Sequence, residues 1–290
     1  MSLNSNKLNI FIKSLEPWTF SASILSFLLG TVLAWKYDGR FDVVNCFLTA
    51  LVIFLTHAAG NFANSYYEAE DRRFFVSSTT RRVTLELNAK WAVWSYVLAS
   101  AVFCCLAVVS EAEFRLEFGL YATGFLASLL HGGGLKNIVL GDVLTCGIFG
   151  PLSVVFTYIQ QVGTAHQQLS SVWIVAYSLP FMLFTEAIFH SQNTRDIKTD
   201  IRAGHRTLAV LLGPQHACYL HTLFLLFPYV VVGLQAAITS PYFGIALLTL
   251  PFAFNLSVAC FEGEHFTLPQ KVALLDSSFG ILYLLSIYLS

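Results

Sequence analysis

Charge is what this 290-residue chain has least of: Asp, Glu, Lys and Arg make up 11% of it, against 56% hydrophobic residues. An average soluble domain is about 25% charged, so too few charged side chains exist here to coat a water-soluble globule. Neither sign is in surplus. The formal net charge of -1 excludes the basic excess that wrapping nucleic acid requires. Disorder is excluded as well, because 26 Phe, 12 Tyr and 5 Trp can bury far more surface than chain entropy opposes. The cysteines Cys46, Cys104, Cys105, Cys146, Cys218 and Cys260 all lie in apolar runs, none in a CxxC or other metal spacing, and read as small core hydrophobes. No leader is expected either. Residues 1–17 carry a short Ile-Phe-Ile run and no small-residue cleavage site, so the first membrane helix is expected to act as its own insertion signal. What the chain has is long apolar runs, and the expected fold class is all-α, a polytopic membrane protein.

A hydrocarbon core near 30 Å needs about 20 apolar residues of helix. Nine stretches meet that need, at 18–36, 43–67, 91–110, 115–131, 138–160, 172–193, 208–236, 243–261 and 272–289. They imply one transmembrane domain over 1–290, with 1–17 as a short cytosolic tail. Cytoplasmic loops retain Lys and Arg, and nine spans place thirteen of the sixteen cations on the side of the N-terminus, leaving Lys36, Arg40 and Arg115 on the other. The N-terminus and the two most polar connectors, 68–90 and 194–207, are therefore expected in the cytosol.

Those two connectors carry the candidate chemistry. In NFANSYYEAEDRRFF, Asn64 and Glu68 are four apart and Asp71 three further on; in FHSQNTRDIKTDIRAGHR, Asn193, Asp196 and Asp200 follow the i, i+3, i+7 rule. On helices these spacings stack each trio on one face. Carboxylate and amide oxygens with no His or Cys at ligand spacing suit a hard cation such as Mg²⁺, which shares phosphate oxygens readily. Arg72, Arg73, Arg82, Lys136, Arg195 and Arg202 could neutralise a polyvalent anion, arginine adding bidentate geometry. A metal-bridged diphosphate is the natural guest. The plainer alternative is that these are solvated helix ends obeying the inside rule. His190, one turn beyond Glu186, reads either as a substrate contact or as a hydrogen-bonded interior imidazole. His57, His131, His216 and His221 stand isolated and receive no role.

At these residues the chain resembles the UbiA superfamily of intramembrane prenyltransferases, most closely its animal menaquinone-forming branch. The likeness runs through nearly the whole chain. Besides NSYYE and NTRDIKTD it includes LEPWTFSASI, HGGGLKNIVLGD, IFGPLSVVFTY, AGHRTLAVLLG and LPQKVALLD. The resemblance implies nine helices around a central cavity, with two acidic motifs binding Mg²⁺ and an isoprenyl diphosphate. It also implies transfer of the prenyl chain, typically from geranylgeranyl diphosphate, to a naphthoquinone or naphthoquinol, in endoplasmic reticulum, Golgi or a related membrane. Residue by residue, Asn64 and Glu68 match the first motif, Lys136 the cationic turn, and Asn193, Asp196 and Asp200 the second motif. On that footing Asn64, Glu68, Asp71, Asp196 and Asp200 would carry the metal. Lys136, Asn193, Arg195 and Arg202, with Arg72 or Arg82, would grip phosphate, and Tyr66, Tyr67 and His190 would face the prenyl or aromatic groups.

Three positions depart from the pattern. Glu68 stands where Asp is usual, the run EAEDRRFF puts Phe74 at the place of the second acid, and Asn137 replaces the Tyr that commonly follows the turn Lys. They give weight to a rival reading, a catalytically weakened relative that binds prenyl lipid or sterol and regulates a partner protein of sterol metabolism.

Overall fold

The computed structural model describes residues 2–71, 78–132, 134–135 and 138–290. Eleven α-helices follow one another: α1 (Ser2–Leu15), α2 (Phe20–Asp38), α3 (Val43–Asp71), α4 (Ser78–Val109), α5 (Phe114–Gly132), α6 (Leu140–Gly147), α7 (Ser153–Val162), α8 (Ser171–Ala203), α9 (Leu208–Ile238), α10 (Leu250–Phe261) and α11 (Leu268–Leu289). A π-helical turn, Ile148–Leu152, fuses α6 and α7 into one broken rod, and a 3₁₀ segment, Pro241–Thr249, leads into α10. Each expected span thus has its rod. Among the described residues, seven helical stretches are long and apolar enough to cross a bilayer. The other two rods, α5 and α6–α7, fill the expected spans 115–131 and 138–160. The break has a local cause: Pro151 lacks an N–H and Gly150 sits at φ −90°, ψ −108°, so the helical ladder is interrupted there. Gly150 is also where this rod meets α8, since a Cβ on it would lie 2.7 Å from the Met182 Cβ.

The polar stretches differ from the connectors expected of them. α3 runs to Asp71, α4 starts at Ser78 and α8 continues to Ala203, so most of 68–90 and 194–207 is helix. At 29, 32 and 33 residues and 1.5 Å per residue, these helices reach roughly 44–50 Å, well beyond a 30 Å hydrocarbon layer. Loss of hydrophobicity marks the edge of lipid, whereas a helix ends only where the backbone is given another partner. For α8 that partner is a Schellman turn. Gly204, at φ 79°, donates its N–H to the Ile201 carbonyl at 3.2 Å, and the His205 N–H reaches the Asp200 carbonyl at 2.9 Å, the paired bonds that close such a cap. The turn fixes Asp200 through its own main chain. Gly204→Ala, which forces a Cβ into the left-handed region, should destabilise the protein by about 1 kcal/mol. Thermal unfolding in detergent should register a lower midpoint for it and none for Gly119→Ala, where a Cβ meets open space inside α5.

The expected N-terminal tail is instead α1, seated on α3 and α4 by Phe11, whose ring lies 5.4 Å from Phe62 and 5.1 Å, edge-on, from Trp91. Successive rods alternate in direction. Hydrogen bonds from Asn61 to the Leu15 carbonyl and from Gln192 to Glu16 gather one face, and those from Lys36 to the Ile287 carbonyl and from the Asp42 N–H to Gln161 gather the other. The principal core, with Tyr158, Phe181, Phe184, Phe279 and Tyr283 fully buried, packs α2, α7, α8, α9 and α11 together. A smaller apolar group holds α3, α4 and α5 against α2 and α7. Between the two lies a cavity.

Candidate functional site

Both acidic motifs stand on the helix ends that share the face of Glu16. In α3, Asn64 and Glu68 are one turn apart, and the Asn64 Nδ2–H donates to Glu68 Oε1 at 3.3 Å. Asn64 Oδ1 is buried with no hydrogen-bond partner. A buried carbonyl oxygen without a donor is unfavourable by itself and marks a place for a cation or a ligand hydrogen. Asp71 is the last residue of α3.

In α8, Arg195 clasps Asp196 in a bidentate pair, Nε to Oδ1 at 2.9 Å and an Nη2 to Oδ2 at 2.7 Å, each side chain 27% exposed. The carboxylates of Glu16 and Glu68 lie within electrostatic reach of the same guanidinium. This joins the end of α3, the end of α8 and the entry to α2. Three carboxylates around one guanidinium leave a surplus of negative charge that favours a further cation. Asp200, one turn beyond Asp196, has its Oδ1 3.4 Å from the His205 Nδ1. A parallel bridge between Ile138 and Arg206 brings the chain leaving the HGGGLK segment beside the α8–α9 link.

Of the acidic group Glu16 lines the cavity, beside Asn64, whereas Glu68, Asp196 and Asp200 stand outside its lining. Val52, His57, Asn61 and Asn64 line it along α3, and Leu120, Phe125, Phe149, Phe156 and Phe189 add apolar walls from α5, the α6–α7 rod and α8. From Val52 to Asn64 is twelve residues of helix, roughly 18 Å, so the space runs inward from the carboxylates. Its polar feature is His57, 4% exposed, stacked on Phe20 at 4.4 Å and flanked by Phe149 at 4.6 Å. The Thr19 hydroxyl gives its hydrogen to the Glu16 carbonyl at 2.8 Å, so its oxygen accepts from Asn61 Nδ2 at 3.0 Å and from His57 Nε2 at 3.1 Å. That assigns the proton to Nε2 and leaves Nδ1 to accept from the Ser23 hydroxyl at 2.9 Å. The ring is then neutral, with both nitrogens engaged.

Of the residues singled out from sequence, Asn64, Glu68, Asn193, Arg195, Asp196 and Asp200 stand on the two motif-bearing helix ends, and Arg202 is exposed in the last turn of α8. Arg72, Arg73, Phe74, Lys136 and Asn137 lie outside the described residues. The Arg82 side chain is 83% exposed and pairs with Glu86 at 3.1 Å, one turn along α4, a solvated helix pair of the ordinary kind. His190 is the hydrogen-bonded interior imidazole of its two readings. Fully buried, it sits 3.0 Å from the Ala217 carbonyl and edge-on to Phe224, so it joins α8 to α9 and is no wall of the cavity. Tyr66 and Tyr67 pack edge to face at 5.3 Å, with Tyr67 exposed and neither lining the cavity. Glu16, Asn61, His57 and His131 were missed. Each does line it, and for Glu16 a signal existed, an acid immediately before a proline at the start of a span. Its φ of 49° and ψ of 62° make it the one described non-glycine residue with positive φ, a conformation costing about 1–2 kcal/mol.

Comparison with known proteins agrees with this fold. The model of the UbiA prenyltransferase family matches residues 23–279. UbiA prenyltransferase domain-containing protein 1 of Homo sapiens is 34% identical over 291 residues, covering 97% of this chain and 83% of the human protein. The Danio rerio protein of the same name is 35% identical over 292 residues, covering 98% and 85%. Among solved structures, a UbiA homolog from Aeropyrum pernix K1 superposes with a TM-score of 0.68 at 16% identity, over 92% of this chain and 97% of that one. A UbiA homolog from Archaeoglobus fulgidus bound to GPP and Mg²⁺ gives 0.62 at 11%, over 97% and 100%.

Proposed function

Because the chain belongs to the UbiA prenyltransferase family, and its two acidic helix ends meet at the mouth of an apolar cavity, we propose that it transfers an isoprenyl chain, geranylgeranyl in the first instance, from its diphosphate to a naphthoquinone or naphthoquinol, as in menaquinone-4 formation. The observation that carries the reading is the convergence of Glu68 and Asp196 on one guanidinium.

The donor set fits a divalent ion. It is hard oxygen throughout, and it includes the orphaned Asn64 Oδ1. Asn64, Glu68, Asp71, Asp196 and Asp200 would hold Mg²⁺, which when bound stabilises charge on a departing diphosphate. Lys136, Arg72, Asn193, Arg195 and Arg202 are the groups for phosphate oxygens, Arg195 with its planar fork above all. Phe149 and Phe189 face an allylic cation with π electrons and keep water from it. As the carbon–oxygen bond to diphosphate breaks, the allylic carbon joins a ring carbon of the acceptor, and the ring proton leaves. His57 is the group to receive it. Protonation at Nδ1 lets the Ser23 hydroxyl turn its hydrogen to the Phe20 carbonyl, 3.1 Å away.

Glu16 adds a carboxylate beside Arg195, together with Asp196 and Glu68, in a chain whose first motif has Phe74 in place of the second acid. Glu16→Gln should raise the Mg²⁺ concentration needed for half-maximal transfer about tenfold, in line with the loss of a group supporting a metal site, without changing the fold. A magnesium titration that overlays the parent's would remove Glu16 from the site.

The altered first motif also favours a second reading, a weakened relative that binds prenyl lipid or sterol and regulates a partner. One experiment separates the two. Purified protein is incubated with Mg²⁺, a series of isoprenyl diphosphates and a panel of quinols; products are identified by mass and diphosphate release is measured. A transferase yields prenylated quinol and diphosphate together, whereas a sensor binds donor and releases none. In the transferase reading the acidic face is cytosolic, which the sequence bias of Lys and Arg supports, and the membrane is endoplasmic reticulum or Golgi, which rests on the family resemblance alone.

A further inference from the structure

On the side of α8 away from the cavity, four soft or nitrogen donors collect without any part in prenyl transfer. Cys218 of α9 and Cys260 near the end of α10 are both buried, their sulfurs 2.7 Å apart. His265, in the turn before α11, completes a trio whose ligand atoms all lie within 4.8 Å of one another. Its Nδ1 is buried and has no hydrogen-bond partner. His221, fully buried one turn along α9 from Cys218, stands outside that 4.8 Å trio but within electrostatic reach of His265, so it joins the group only by turning its ring toward them. Neither of its ring nitrogens is in hydrogen-bonding geometry with a partner, although the Ala187 carbonyl is close by.

Orphaned imidazole nitrogens in an apolar interior are unfavourable by about 1–3 kcal/mol each, and thiols are weak partners for them. A borderline-soft cation answers all of these groups at once. Read along the chain they form Cys-x₂-His at 218–221 and Cys-x₄-His at 260–265, and the helix turn at 218–221 puts both side chains on one face. Neither pair was visible as a ligand pattern until α9 and α10 were laid side by side. We infer that Cys218, His221, Cys260 and His265 form a tetrahedral zinc site that ties α9, α10 and the start of α11 together.

Loading it releases one proton from each thiol as the thiolates bind the metal. The sulfurs must then part from 2.7 Å to roughly 3.8 Å, the span set by tetrahedral angles and Zn–S bonds of about 2.3 Å. Four protein ligands leave no open position, so the site is structural. Its sulfur and nitrogen donors separate it from the oxygen set at the cavity mouth, and each ion is sorted to its own place.

The test uses full-length protein purified in detergent through a tag without histidine, from cells supplied with zinc. Elemental analysis after gel filtration should find roughly one zinc per chain, and Co²⁺ substitution should give a thiolate-to-cobalt absorption band. The Cys218→Ser, Cys260→Ser double variant should lose both. His221→Gln and His265→Gln keep the thiols and serve if the double variant fails to fold; each should weaken zinc binding at least tenfold. Zinc no higher in the parent than in the double variant overturns the assignment, as does a Cys218–Cys260 disulfide found by peptide mapping without reductant, or zinc content unchanged in every variant.

Discussion

Asp196→Asn is expected to lower prenyl transfer by at least a hundredfold, the scale on which a single preorganised electrostatic contact is lost from an active site, while leaving the protein folded. The substitution keeps the shape of the side chain and removes its charge, so the negative surplus that attracts a divalent ion falls by one. It also alters the bidentate clasp. Arg195, no longer neutralised by its neighbour, still has Glu16 and Glu68 within reach, and the pair is exposed enough at 27% that its loss should change stability by no more than about 1 kcal/mol. Product formation at saturating donor, together with the thermal midpoint, checks both halves. Turnover equal to the parent's would remove the second motif from the metal site.

His57→Gln should slow transfer by roughly 10²- to 10⁴-fold, the range for loss of a positioned acid or base. Glutamine is the informative choice because it imitates the resting network: its amide N–H can donate to Thr19 and its carbonyl can accept from Ser23. What it cannot do is take up a proton. An unchanged KM for the donor and a depressed kcat, in a variant that melts like the parent, is the expected split. His57→Ala, by contrast, leaves the Asn61, Thr19 and Ser23 hydroxyl and amide groups short of partners and should cost stability as well. If His57→Gln turns over within twofold of the parent while His57→Ala melts early, the imidazole is a structural bolt between α2 and α3 and some other group receives the proton.

Much of the fold was legible because its cause is local. Nine long apolar runs become nine rods, and both acidic motifs stand on one face of them. The i, i+3, i+7 spacings survived too, since they fall on real helix. The errors share a reason. Expecting helices to end where polarity begins shortened α3, α4 and α8, because in water-facing segments only backbone partners such as the Gly204 turn terminate a helix. His57 and Glu16 were passed over because their importance lies in tertiary neighbours: a lone histidine in an apolar run says nothing of Thr19 and Ser23 on another helix. For Arg82 the partner seen in the structure, Glu86, was its own sequence neighbour. His190 shares a helix with the second motif but points at α9, a matter of phase that spacing alone left open.

The seat of α1 has a practical bearing on handling the molecule. Phe11 is wedged between Phe62 and Trp91 and the Leu15 carbonyl is held by Asn61, so the chain entering the strained Glu16 is anchored, and beyond it the Thr19 hydroxyl holds the Glu16 carbonyl. Fusions or deletions that dislodge that wedge would be felt at the carboxylate one residue further on, in lost catalysis before any loss of helix. Affinity handles therefore belong away from α1, on the opposite face where Lys36 meets Ile287.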